Sequence, residues 1–337
     1  MTSLQVRRVA LAGAGMISRH HLVAWRKVEG VEVVALADVD VERAADRARE
    51  FNVPAIYPDL ATLLAVEKVD VVDIASPRAT HADLVRLAAD HDVAVLCQKP
   101  LATTFDEAKH LQADIAGRVR VMVHENWRFR PAYRRIRRWL DEAAPGRLLQ
   151  GRISVQSAGL LQDEMGRYPA LERQPFFSTE KRLLIAETLI HHLDVVRWLA
   201  GPLHIIAASA LRTSNLVVGE TCATLLLETG HGAPITIEGN LTIPGAQAGS
   251  SDDVVLVFER GTARFSSNRL ELRGVMPETA SFAFAESYQA SFDATIAHFV
   301  ETLRSGAPFE TDVTDNLKTL RLVEEAYRLV DPVQNLT

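Results

Sequence analysis

Over its first 124 residues the chain alternates short, largely apolar runs with longer amphipathic ones, and few folds accommodate that pattern. Residues 9–12, 31–37, 69–75, 93–96 and 119–123 read as strands, and 16–28, 41–50, 80–90 and 105–116 as helices. Strands that are apolar along their whole length, rather than at every second position, are buried on both faces. Such strands belong to a parallel sheet covered by helices. The expected fold class is therefore α/β, with a doubly wound parallel sheet of the Rossmann kind over 1–124.

The character changes beyond His124. A basic helix is expected over 131–142, a stretch without clear periodicity over 160–182, and a helix over 186–199 closed by Gly201 and Pro202. In "ITIEGNLTI", 235–243, Ile235, Ile237, Leu241 and Ile243 fall on one face and polar residues on the other. That period of two suggests an antiparallel sheet covered on one side. Two helices, 287–304 and 315–330, end the chain. A second domain is expected over 125–337, with the C-terminal helix packing back on the first.

The chain's 337 residues are 47% hydrophobic and 24% charged, with net charge −6. This acidic balance speaks against a nucleic-acid partner. The two cysteines, Cys97 and Cys222, form neither a disulfide framework nor a CxxC metal pair. No apolar run is long enough for a membrane span or a secretory signal, so a cytoplasmic protein is expected.

"GAGMIS", 13–18, joins the first strand to its helix. Gly13 permits the tight turn, Gly15 lets the backbone approach a pyrophosphate, and the helix N-terminus receives it. Asp38 ends the second strand, about 20 residues on, where an acid accepts from the ribose 2′-OH and repels a 2′-phosphate. NAD is expected, NADP less so. Arg43, nearby, reads as a solvated helix residue.

In "ETLIHHLDVVRW", Glu187, His191 and Asp194 stand at i, i+4 and i+7 on one helix face, with His192 turned about 100° away. A histidine between carboxylates suits a general base. A surface helix with a hydrogen-bonded histidine, or a metal site, would use the same residues. No further ligand cluster is evident, so no metal is expected. Six arginines between Arg128 and Arg138 fit a solvated helix face better than a nucleic-acid surface.

Together these residues resemble the Gfo/Idh/MocA family of oxidoreductases, which takes in glucose-fructose oxidoreductase and inositol 2-dehydrogenase. The carriers are "GAGMIS", Asp38, "IASPRATH" (74–81), "QKP" (98–100), "NWRFRP" (126–131) and "ETLIHHLDVVRW". The resemblance implies a C-terminal substrate-binding and oligomerisation domain of α+β type, with an open, mainly antiparallel sheet that makes homodimer or homotetramer contacts. It also implies oxidation of a hydroxyl of a sugar, polyol or sugar derivative by hydride transfer to NAD. Lys99 would hydrogen-bond the reacting hydroxyl, His191 would take its proton, and Glu187 would orient or polarise it. Asp194 would orient substrate or be structural. Gly13, Gly15, Met16, Ile17, Asp38, Ser76, Pro77, His81, Gln98 and Lys99 would line the cofactor. Trp127 and Arg130 would join Lys99, Glu187, His191 and Asp194 at the substrate, with Arg130 suited to an anionic one. Two further readings within the family are a glycoside-cleaving enzyme that uses NAD transiently and a non-catalytic dinucleotide-sensing protein. Three departures stand out: Gln98 in place of the family's glutamate, Glu187 in place of aspartate, and Arg182-Leu183-Leu184 where a Gly-Gly is common.

Overall fold

The computed structural model describes residues 6–249 and 251–334. They form two compact units, one of the described residues up to 129 together with 288–320, the other of those from 130 to 287 together with those from 321 onward.

The first unit carries a six-stranded, all-parallel sheet in the order β3-β2-β1-β4-β5-β6. Its strands are β1 (Arg8–Ala12), β2 (Glu32–Ala37), β3 (Ala55–Tyr57), β4 (Val71–Ile74), β5 (Ala94–Gln98) and β6 (Val121–His124). The helices between them are α1 (Ser18–Trp25), α2 (Val41–Phe51), α3 (Leu60–Val66), α4 (His81–Asp90) and α5 (Phe105–Ile115). Asp40, Asp59 and Thr104 cap α2, α3 and α5 by accepting from the third N–H beyond each. The expected doubly wound sheet is present. The sequence reading missed β3 and α3. β3 is only three residues long, too short for a periodic signal, and Pro54 precedes it.

The second unit carries an eight-stranded sheet in the order β14-β13-β12-β11-β7-β10-β9-β8. These are β7 (Leu148–Gln156), β8 (Leu203–Leu211), β9 (Cys222–Thr229), β10 (Pro234–Asn240), β11 (Ser251–Phe258), β12 (Gly261–Ser266), β13 (Arg269–Gly274) and β14 (Glu278–Ser281). Every pairing is antiparallel except β7 with β10. Alternate residues of β9, β10 and β11 are buried, as the period of two in the sequence requires. Helices α6 (Pro131–Ala143), α7 (Pro169–Arg173) and α8 (Ile190–Ala200) belong to this unit.

Two long helices end the described chain, α9 (Phe284–Ser305) and α10 (Val313–Gln334). From Tyr288 onward α9 belongs to the first unit, and α10 contributes to it through Leu320. Phe292, Ile296, Phe299, Val300 and Leu303 recur at helical spacing and are buried in a core shared with Trp25, Leu96 and Met122. The Phe299 ring stacks on Phe309, with centroids 5.3 Å apart. Deleting that ring should leave a cavity the sheet cannot close. Phe299→Ala is expected to destabilise the first unit by about 3–5 kcal/mol, read from its urea transition.

Candidate active site

Strand order reverses between β1 and β4, and in open parallel sheets ligands bind beyond the carboxyl ends of the strands at such a point. Gly13 leaves β1 there with φ +104°, a value that favours glycine. A Cβ built on Gly13 would lie 2.6 Å from the Ala75 carbonyl oxygen, so the turns after β1 and β4 touch without room for a side chain. A Cβ on Gly15 would meet nothing within 4 Å, which leaves the loop open on that side. Met16 is exposed, and Ile17 packs against the core beneath the loop.

Asp38 follows β2 and is buried at this edge. Its Oδ2 accepts from the Ala14 N–H at 2.6 Å, and its Oδ1 from the Asp40 N–H and from Arg43 Nη2 at 2.8 Å. Burial pushes the Asp38 carboxyl up. The bonds from Arg43 and the two N–H groups outweigh burial and hold it below its ordinary value. Arg43 is thus an ion-pair partner of the acid, not the plain solvated residue expected from sequence.

Ser76 and Pro77 form the turn after β4. The Ser76 hydroxyl bonds Thr80 at 2.7 Å. His81, buried at the start of α4, sits between two backbone carbonyls, its Nδ1 2.7 Å from that of Pro100 and its Nε2 2.9 Å from that of Ser76, so its ring bridges the ends of β4 and β5. Gln98 and Lys99 lie at the end of β5; Lys99 is half-buried, and its peptide with Pro100 is cis. Trp127 is half-buried beside Tyr288, with ring centroids 5.9 Å apart.

In the second unit the expected continuous α-helix over 186–199 is in fact two pieces. Leu184–Leu189 is a π-helical turn, and α8 begins at Ile190. A π turn closes i→i+5 bonds, so Glu187 and His191 are not the plain i, i+4 pair read from the sequence. Such turns are frequent at functional sites. Both side chains are at least nine-tenths buried. Glu220 holds the start of the turn. Its carboxylate accepts from the N–H groups of Leu183 at 3.1 Å and Ile185 at 2.9 Å, and from the Tyr327 hydroxyl at 2.6 Å. Sequence reading missed Glu220 and Tyr327, because only the fold brings them to residues 183–185. Asp194 is buried and accepts from Arg197 at 3.1 Å.

Arg130, expected at the substrate, is 2% exposed, and its Nη1 donates to Asp252 Oδ2 at 2.8 Å. Within its own unit, Arg130 thus has a carboxylate partner. Tyr133 donates to the same oxygen at 2.9 Å, and His192 Nε2 lies 3.2 Å from Oδ1. Asp252 gives no sign of this role in the sequence, since it stands near the start of a strand whose later residues are ordinary apolar ones. Among the described residues no His, Cys, Asp and Glu group could hold a metal ion, and no helix is long and apolar enough to cross a membrane.

Residues 7–126 match the profile of an oxidoreductase family with an NAD-binding Rossmann fold, and 133–264 match the GFO/IDH/MocA C-terminal domain. The chain is a member of the Gfo/Idh/MocA family. Within it, the chain is 36% identical to a D-apiose dehydrogenase of Paraburkholderia graminis, over 97% of this chain and 88% of the other. It is 28% identical to inositol 2-dehydrogenase 4 of Saccharopolyspora erythraea, over 89% and 86%. A crystal structure of an oxidoreductase from Agrobacterium radiobacter, in complex with NAD+, L-tartaric acid and magnesium, superposes with a TM-score of 0.88. It is 29% identical and covers 97% of both chains.

Burial pushes the Asp252 carboxyl up, but His192, Arg130 and Tyr133 outweigh it and hold the group well below the usual carboxylate range. A depressed folded-state value contributes stability that is present above the unfolded value of about 3.9 and is lost as pH falls through the folded one. Asp252→Asn should therefore cost about 3–5 kcal/mol at neutral pH, where it removes the buried negative charge that faces the Arg130 guanidinium. The gap from the parent protein should narrow as denaturation is followed below pH ~4.

Proposed function

We propose that Lys99 and His191 carry the chemistry of this enzyme, with Glu187 orienting the proton acceptor. The protein is an NAD-dependent oxidoreductase of the Gfo/Idh/MocA family, and its relatives include a D-apiose dehydrogenase and an inositol 2-dehydrogenase. It oxidises a hydroxyl of a sugar or polyol. The observation that carries the reading is the position of Lys99: an ammonium-bearing residue at the carboxyl end of β5, one strand from the turn of Ser76 after β4 and two from the turn of Gly13 after β1.

The residues of the first unit fit the cofactor. The loop at Gly15 is open, the Gly13 turn lies tight against Ala75, and the Asp38 carboxylate ends β2 where a ribose hydroxyl would donate to it. When bound, NAD accepts the hydride that leaves the substrate's carbinol carbon. The protein's part is position and charge. Gly13, Gly15, Met16 and Ile17 would hold the pyrophosphate against the backbone of their loop, and Ser76, Pro77 and His81 shape the adjacent turn. The Lys99 ammonium donates to the substrate oxygen and stabilises the negative charge that grows there. An imidazole nitrogen of His191 takes the hydroxyl proton. Trp127 and Asp194 complete the substrate contacts. We read the enzyme as cytoplasmic. We also read it as a homodimer or homotetramer, and the exposed Ile206 and Leu211 on β8 support that second reading.

A screen of D-apiose, inositols and sugar acids with NAD, following the reduced cofactor, identifies the substrate. With that substrate, Lys99→Ala is expected to lower kcat by about 10²–10³-fold while NAD still binds. Unchanged turnover would remove Lys99 from the mechanism. Asp38→Ser should shift the NAD/NADP preference toward NADP by about tenfold or more, the worth of one charge-assisted bond. Arg43, released from its carboxylate, would then accommodate the 2′-phosphate. A cofactor ratio that stays put would count against Asp38 as the ribose acceptor.

A further inference from the structure

The Gln98 side chain joins three groups of the first unit, and the bonding admits one placement of the protons. The Lys99 backbone N–H can only donate, and it lies 3.1 Å from Gln98 Oε1. That distinguishes the oxygen of the amide from its nitrogen. Nε2 then faces two imidazoles, His21 Nε2 at 2.9 Å and His124 Nδ1 at 3.2 Å. Its two N–H groups give one bond to each, so both ring nitrogens must be bare acceptors. His21 therefore carries its proton on Nδ1, which donates to Asp73 Oδ2 at 2.8 Å. Trp25 Nε1 donates to the same oxygen at 2.6 Å. His124 carries its proton on Nε2.

The packing agrees with neutral rings. His21, Asp73 and His124 are fully buried. The two imidazoles lie 4.3 Å apart, tilted by 32°, with the Phe292 ring 5.0 Å from His124 and 5.4 Å from His21. Two charged rings at that spacing would repel in a medium of low dielectric. Position 98 is also where the family pattern has glutamate. A carboxylate has no N–H to give. Facing two bare imidazole nitrogens, it would need a second proton at His21, between two acids.

We propose that Gln98 is a positioning residue whose amide holds His21 and His124 neutral in opposite tautomers and, through Oε1, fixes the peptide from which the Lys99 side chain starts. The proposal rests on the reading of Lys99 as the ammonium that faces substrate. Asp73 and His21 are the anchor: the carboxylate orients the ring, the ring orients the amide, and the amide orients the lysine backbone.

The test uses the full chain with 15N-labelled histidine. Two-bond proton–nitrogen spectra of the imidazoles, assigned by the signals lost in His21→Asn and His124→Asn, read each tautomer directly. The expected result is a protonated Nδ1 and bare Nε2 at His21, and the reverse at His124. Gln98→Glu should protonate both nitrogens of His21. It should also lower kcat by about tenfold to 10²-fold, with the KM for NAD within about twofold of the parent value. A parent protein with His21 protonated on Nε2 overturns the proposal, even if the variant fails to fold. So does a folded Gln98→Glu protein with parental imidazole signals and parental kcat. If the tautomers are as assigned but Lys99→Ala keeps full turnover, the positioning claim falls with the Lys99 reading, and the failure lies in that reading rather than in the proton placement.

Discussion

The ligand-binding edge of the first unit depends on a contact too close for any side chain, that between Gly13 and the Ala75–Ser76 backbone. β1 and β4 are neighbours in the sheet, and their following turns leave in contact. Because Gly13 turns tightly, the Ala14 N–H meets the Asp38 carboxylate, and α1 starts directly behind the loop. Three strand ends are thereby set relative to one another before any ligand is considered. The His81 ring adds the fourth by joining the turn after β4 to Pro100 after β5. The edge is built from backbone and short polar side chains, so its shape depends little on rotamer choice.

Buried charge is handled the same way in both units. Asp73 is closed off by His21 and Trp25, and Asp252 by Arg130, Tyr133 and His192. A buried carboxylate without partners costs several kcal/mol, whereas a paired one specifies which neighbours must be present. In each case the partners come from segments distant in sequence. Each acid is thus a cross-check on the fold as much as a source of stability. Glu220 does a related job with neutral partners, holding two backbone N–H groups at the mouth of the π turn that carries Glu187.

Much of this was legible beforehand, for identifiable reasons. β1, β4 and β5 are apolar because both their faces are covered, and period-two burial in β10 marks a sheet with one covered face. The glycine loop and Asp38 could be read because their spacing is imposed by a strand, a turn and a helix of nearly fixed length. What escaped was set by tertiary contact. Nothing local distinguishes the π turn from an α-helix; Leu184 and Leu189, at its two ends, are buried as helix residues of a core face would be. The pairing of Arg130 with Asp252 was invisible locally, because the two lie 122 residues apart. His21 and His124 looked unremarkable until β6 placed His124 beside Gln98 in register.

The central claim is that a hydride passes from a carbinol carbon of a sugar or polyol to NAD. Supplying that substrate with deuterium on the carbinol carbon, and weighing the reduced cofactor formed, tests it directly. The account predicts that the label appears in the cofactor and that heavy water contributes none. Recovery of unlabelled reduced cofactor, or product formed with no net reduction of NAD, would contradict it.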